Sequence, residues 1–230
     1  MKTIGIIGGI APESTIDYYR RLLATHRQRR PEDAAPAIII NSIDVKKLLA
    51  LAAGQLGQLT EYLLEEIARL DRAGAQIGLL ASNTPHLVFD DVARRSPVPL
   101  VSIVAATCGR AKSLGLKRLG LFGTRFTMQG RFYPEVFERA GLVLVTPAAE
   151  EQTYIHDKYM TELVPGQFLP QTRARLLEIA SRMKQQDGIE GLILGGTELP
   201  LILTDSTPAG IPFLDTTEIH VSAILEQALD

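Results

Sequence analysis

At 230 residues and 46% hydrophobic content, the chain can build one large domain or two compact lobes around a packed core. Its 24 basic and 26 acidic residues nearly cancel, which argues against a nucleic-acid footprint or a polyanionic tail. The one cysteine, Cys108, excludes an intrachain disulfide framework and fits a reducing, cytoplasmic setting, and no apolar run is long enough to span a bilayer.

The first apolar run predicts a strand over 3–8, ending in Gly8-Gly9. Pro12 and Glu13 interrupt it too early for a signal peptide. A second strand is expected at 36–43, closing on Asp44. Leu56, Leu59, Leu63, Ile67 and Leu70 then recur at three- and four-residue steps, the stripe of an amphipathic helix. Strands at 76–81 and 98–103 complete the first half, and 118–123, 142–146, 190–195 and 211–214 supply the second. Leu176, Ile179, Ala180 and Met183 repeat the helical stripe there. Apolar strands alternating with helices predict an α/β fold with parallel sheets covered on both faces.

The halves also match each other. Ile77-Gly78-Leu79-Leu80-Ala81 aligns with Leu192-Ile193-Leu194-Gly195-Gly196, about half the chain away. The same offset lays Ile4-Gly5-Ile6-Ile7-Gly8 on Leu119-Gly120-Leu121-Phe122-Gly123. A near-equal one lays Val98-Pro99-Leu100-Val101 on Ile211-Pro212-Phe213-Leu214. Two pseudo-symmetric Rossmann-like lobes are expected, 1–100 plus 213–230 and 101–212, with an active-site cleft between them. No Ser/Gly linker separates them. The strand from Ile211 and the helix after it are expected to return to the first lobe.

In open α/β sheets ligands bind beyond the carboxyl ends of the strands. Here those ends carry Gly8-Gly9, Ser82-Asn83-Thr84, Gly123-Thr124 and Gly196-Thr197, with Pro12, Pro85 and Pro200 opening the helices that follow. Backbone N–H groups and short hydroxyls at such places either cradle an anion or simply cap the helices. Gly5-x-x-Gly8-Gly9 lacks the dinucleotide spacing G-x-G-x-x-G. His26, His86, His156 and His220 show no ligand spacing on one helix face, so no metal site is expected.

Four ordered stretches resemble the aspartate/glutamate racemase family. They are Gly8-Gly9-Ile10-Ala11-Pro12-Glu13-Ser14-Thr15 with Tyr18-Tyr19, Asn83-Thr84-Pro85-His86, Gly123-Thr124-Arg125-Phe126-Thr127-Met128 with Phe132-Tyr133, and Gly196-Thr197-Glu198-Leu199-Pro200. Asp215-Thr216-Thr217 with His220 adds a fifth, so the likeness spans nearly the whole chain. The resemblance implies a cofactor-independent amino-acid racemase, usually a homodimer, needing neither pyridoxal phosphate nor metal. In that family one cysteine removes the α-proton of an amino acid and a second returns a proton on the opposite face. Flanking Asn-Thr and Thr groups hold the ligand carboxylates. Carried over, the binding groups are Asn83, Thr84, Thr124, Thr127 and Thr197, joined by Gly9, Ser14 and Ser82 in the same motifs. The cysteine positions fall on Ala81 and Gly196, neither of them ionisable.

That departure matters, because a positioned general base is worth roughly 10²–10⁴-fold in rate. Cys108, among Ala105, Ala106, Thr107 and Ala111, reads as a small core thiol. His86 and Glu198 are the remaining titratable candidates; each has a plain structural reading beside it, as a loop peg and as a first-turn acid. Asp44 and Asp215 either build turns or face an ammonium group. Two smaller side chains should also leave extra room, for a bulkier ligand or for solvent. The function expected is racemase- or isomerase-type chemistry on a small amino or dicarboxylic acid without the two-cysteine mechanism. A non-catalytic carboxylate-binding module is the alternative, with a lyase or decarboxylase of the same fold behind it.

Overall fold

The computed structural model describes residues 1–205 and 209–229. Its strands are β1 (Ile4–Gly8), β2 (Ile38–Ser42), β3 (Ile77–Leu80), β4 (Leu100–Val101), β5 (Arg118–Gly123), β6 (Val143–Val145), β7 (Gly191–Gly195) and β8 (Phe213–Asp215). Its first helices are α1 (Pro12–Arg29), α2 (Val45–Ala52), α3 (Leu56–Arg72), α4 (Phe89–Arg95) and α5 (Ile103–Ser113). Then come α6 (Arg125–Gln129), α7 (Phe132–Arg139), α8 (Ala149–Lys158), α9 (Pro170–Arg182), α10 (Leu199–Ile202) and α11 (Thr216–Leu229). Each strand expected from the apolar runs is present within a few residues of its place. Two four-stranded sheets result, ordered β2-β1-β3-β4 and β6-β5-β7-β8, with every pairing parallel. Among the described residues no helix is long and apolar enough to cross a membrane.

Two compact units carry these sheets, Met1–Ala106 with the segment from Thr217 on, and Thr107–Thr216. The expected lobe limits, 1–100 plus 213–230 and 101–212, need two corrections. Val101 still pairs with Leu79 in the first sheet, and the division falls later, inside α5. Phe213, Leu214 and Asp215 pair with Leu192, Ile193 and Leu194 of β7, so the last strand belongs to the second sheet. Only the helix that follows goes to the first unit.

In the first unit Ile4, Ile6, Leu79 and Ala81 share a cluster with Tyr18 and Leu22 of α1 and Val221, Ile224 and Leu225 of α11. Alternate residues of β1 and β3 therefore face those two helices. The other face is covered by α3, whose Leu59, Leu63, Ile67 and Leu70 are buried. Each such side chain contributes roughly 1.5–3 kcal/mol when taken out of water. Leu56 is 44% exposed, so the apolar stripe begins one turn later than the leucine spacing suggests. In the second unit Phe122, Leu192 and Leu194 pack with Ile155 of α8, Leu176, Ile179 and Ala180 of α9, and Met183 just beyond it.

His220 ties α11 into the first unit. Its Nε2–H donates to the carbonyl of Val101 at 2.9 Å, which leaves Nδ1 to accept the hydroxyl of Tyr18, also at 2.9 Å. Three elements are joined by one neutral ring, in a position with no access to solvent. Tyr18→Phe keeps the packing but removes the donor facing Nδ1. A buried acceptor left unpaired costs about 1–3 kcal/mol. Urea denaturation should show that loss as a lowered midpoint at unchanged slope.

Candidate functional site

The carboxyl-end loops of the first unit are held mainly by their own backbone. Gly9 adopts φ +78°, where a Cβ would lie 2.4 Å from the Ser42 hydroxyl, so only glycine fits. Its N–H donates to Thr15 Oγ1 at 2.9 Å, which commits that amide to the start of α1. Ser14 is buried in the first turn of α1. After β3, Ser82 and Asn83 lead into a 3₁₀ turn, Thr84–Val88, with Pro85 near its start. Asn83 and Thr84 are both buried.

His86 pegs this loop. Its Nδ1–H donates to the Ser82 carbonyl at 3.1 Å, and its Nε2 accepts the Ile103 N–H at 3.2 Å. The ring stacks on Phe89, with centroids 4.7 Å apart, and meets His220 edge-on at 6.3 Å. Burial, and after it the neighbouring His220 ring, together bring His86 down to about 3, against hydrogen bonds to the backbone of Ser82 and Asn83 that favour the charged form. Burial takes His220 to about 4. Both rings are thus neutral near pH 7. While these bonds hold, neither nitrogen of His86 has a lone pair available for a ligand's proton.

Other candidates resolve by geometry. Asp44 caps α2, its Oδ1 accepting from the N–H groups of Lys46 and Lys47 at 2.9 and 3.2 Å. Asp215 closes β8 opposite Leu194. Cys108 is buried in α5 beside the Val136 carbonyl, and burial raises its thiol, which disfavours the thiolate. Among the described residues no cluster of three or more His, Cys, Asp or Glu could hold a metal ion.

The second unit places Thr124 as N-cap of α6, accepting from the Thr127 N–H at 3.4 Å, with the two hydroxyl oxygens also 3.4 Å apart. Arg125 donates its N–H to His156 Nδ1 at 3.2 Å. Beyond β7, Thr197 donates its hydroxyl to Glu198 Oε2 at 3.1 Å. The Tyr159 hydroxyl donates to the same oxygen. Glu198 is 1% exposed, so a carboxyl group sits in the interior with two hydroxyls on one of its oxygens. Burial, and then the Glu198 charge, hold Tyr159 well above the usual phenol range.

Tyr159 is the residue that sequence reasoning missed. It begins a π-helical turn, Tyr159–Leu163, that continues α8, a position without any motif. Its ring fills the space beside Gly196. A Cβ there would lie 2.4 Å from Tyr159 Cε2 and 2.9 Å from its Cζ and hydroxyl oxygen. The extra room expected at 196 is therefore taken by an aromatic ring. The adjacent glycines Gly195-Gly196 were the available hint, because a strand tip stripped of side chains signals a close neighbour.

The expected pairing of Ala81 with Gly196 needs correction as well. Leu80 pairs with Ile7, and Leu194 pairs with Phe122, the residue matching Ile7 in the repeat. Counting on from these partners makes Ala81 the repeat equivalent of Gly195, and Ser82 that of Gly196. Ala81 continues the ladder by donating to the Ile7 carbonyl at 2.9 Å, and its methyl is 1% exposed in the core. A side chain at 81 belongs to the interior of the first unit, and 82 is the tip position.

Comparison with known proteins agrees with this architecture. The profile of the family described as Asp/Glu/Hydantoin racemase matches residues 7–224. The structure of an aspartate racemase homologue from Pyrococcus horikoshii is 36% identical, with both chains covered completely and a TM-score of 0.86. That of a candidate Asp/Glu racemase from Yersinia pestis is 32% identical over the whole of both chains, with a TM-score of 0.90. An uncharacterized protein of Pectobacterium carotovorum subsp. carotovorum is 28% identical over 144 residues, 60% of this chain and 91% of that one.

Two outcomes follow for stability. His86 and His220 have folded-state values below their unfolded one, so their contribution is full above about pH 6.5 and shrinks as pH falls toward about 4 and about 3. Within that window each imidazole takes away about 1.4 kcal/mol per pH unit. Urea midpoints measured from pH 7.5 to 4.5 should fall steeply, and less steeply in His220→Gln. Gly196→Ala should cost about 1–3 kcal/mol through overpacking against Tyr159. Adding Tyr159→Ala should recover at least part of that loss in a double-mutant cycle.

Proposed function

Given that the chain belongs to the Asp/Glu/hydantoin racemase family, we propose that it binds a small amino or dicarboxylic acid and performs racemase- or isomerase-type proton chemistry on it without paired thiols. The observation that carries this reading is the buried Thr197–Glu198–Tyr159 group at the tip of β7, beside a residue that has no side chain. A titratable carboxyl buried at a strand tip is costly unless paired, and such groups mark functional sites more often than surface ones do.

The roles divide as follows. Thr124 and Thr127 in the second unit, and Ser82, Asn83 and Thr84 in the first, bind ligand carboxylates. His86 is the peg that fixes the Ser82–Thr84 loop through its two backbone bonds. Glu198 is the group that takes up the α-proton. The Cα–H bond breaks, its electron pair passes into the ligand carboxylate as an enediolate, and the carboxyl proton forms on Glu198. Return of the proton to the same face gives α-proton exchange, and inversion follows when the planar enediolate turns over before Glu198 gives the proton back. Low solvent access strengthens the hydrogen bonds that support each charged state.

A carboxylate-binding module without turnover is the second reading, favoured by the full engagement of His86 and the absence of sulfur at 81, at its neighbour 82 and at 196. Aspartate and glutamate, taken from the names of the relatives, are the first ligands to test, followed by other amino acids and dicarboxylates. A bound ligand at a hundred times its dissociation constant stabilises the folded state by about 2.7 kcal/mol, visible as a thermal shift. Exchange of the α-proton in deuterated water, followed by proton NMR, should accompany that shift and drop roughly 10²–10⁴-fold in Glu198→Gln. Shifts without exchange for any ligand would establish the binding module and remove the enzyme reading.

A further inference from the structure

We propose that Tyr159 is a proton relay whose hydroxyl, standing where a side chain at position 196 would stand, passes a proton between the α-carbon of the bound acid and Glu198. This rests on the reading of Glu198 as the group that takes the proton. Three observations support it. The Tyr159 ring occupies the volume next to Gly196 Cα, with Cε2 2.4 Å and the hydroxyl oxygen 2.9 Å from where a Cβ would be. The hydroxyl is hydrogen-bonded to Glu198 Oε2, the oxygen that also accepts from Thr197 at 3.1 Å. Glu198 itself is 1% exposed, whereas Tyr159 is 6% exposed and projects from a turn outside the β7 loop.

The step balances without any ionised tyrosine. As the α-carbon releases its proton to the phenol oxygen, the proton already on that oxygen moves to Glu198 Oε2. The Cα–H and phenol O–H bonds break, new O–H bonds form on the phenol and on the carboxyl, and the carbon electron pair enters the enediolate. Return runs in reverse: the phenol proton goes to carbon while the Glu198 proton restores the phenol. The phenol stays neutral throughout, which matches a tyrosine held far above its usual ionisation range by burial and the neighbouring carboxylate. A hydroxyl that is never charged needs no sulfur-like tuning, only a partner on each side.

The test measures α-proton exchange of aspartate and glutamate in deuterated water for the wild type, Tyr159→Phe, Glu198→Gln and the double variant, with KM and kcat separated. Phenylalanine keeps the ring over Gly196 and removes only the relaying oxygen. Tyr159→Phe should lower kcat about 10²-fold or more with KM within about twofold, as expected for lost general acid–base function. The double variant should be no slower than the slower single, because both residues serve one pathway. A Tyr159→Phe protein that exchanges within about threefold of wild type, while Glu198→Gln is slow, overturns the relay and leaves the proposed function standing. A wild type that exchanges neither ligand nor any other amino acid overturns both. Should Tyr159→Phe fail to fold by thermal melting, Glu198→Asp withdraws the carboxyl from an intact phenol, and unchanged exchange in that variant overturns the relay.

Discussion

Everything at the two strand tips depends on the parallel pairing of a central strand couple, β1 with β3 and β5 with β7. Parallel ladders put consecutive carboxyl ends side by side, and the loops leaving them inherit that alignment. Register decides which residue is the last to be hydrogen-bonded and which is the first to be free for chemistry. In the first unit Ala81 is still within the ladder and Ser82 begins the loop. In the second unit Gly195 ends the ladder, paired with Gly123, and Gly196 begins the loop. The repeat thus presents a hydroxyl on one tip and a bare backbone on the other.

The two tips then solve the same problem with different polar groups. The first surrounds a neutral imidazole with backbone partners and a second neutral imidazole, and the result is rigid and uncharged. The second buries a carboxyl and satisfies it with hydroxyls of Tyr159 and Thr197. A buried polar network of this sort stabilises only when each member is satisfied. The first tip thus holds an engaged neutral ring, and the second a buried carboxyl.

Much of the architecture could be read from residue order alone. Leu59, Leu63, Ile67 and Leu70 announce α3 by period, and the eight apolar runs announce their strands, because burial on both faces requires continuous hydrophobicity. The loops at the carboxyl ends of the strands were visible as Gly, Ser, Thr and Asn placed after those runs. Two features were not. Ala81 was matched to Gly196 because residue counting cannot see that the second loop carries one more residue before its proline than the first. Hydrogen bonds to Ile7 and Phe122 supply that information, and they exist only in the folded sheet. Tyr159 was hidden for a similar reason, since a long-range contact between a π-helical turn and a glycine leaves no local pattern. Even the C-terminal strand went to the unexpected sheet, where three residues of pairing with β7 outweighed its nearness in sequence to α11.

That last arrangement has a consequence for how the molecule is made. The second unit is a single uninterrupted stretch, Thr107–Thr216, whereas the first cannot seal its interior until Val221, Ile224 and Leu225 arrive. During translation the amino-terminal sheet would emerge early and wait, with Ile4, Ile6 and Leu79 lacking their cover, while the later-born unit closes ahead of it. Vectorial synthesis here runs against the usual amino-to-carboxyl order of domain completion. Trimming a few turns from the far end of the chain would therefore injure the part that was synthesised first.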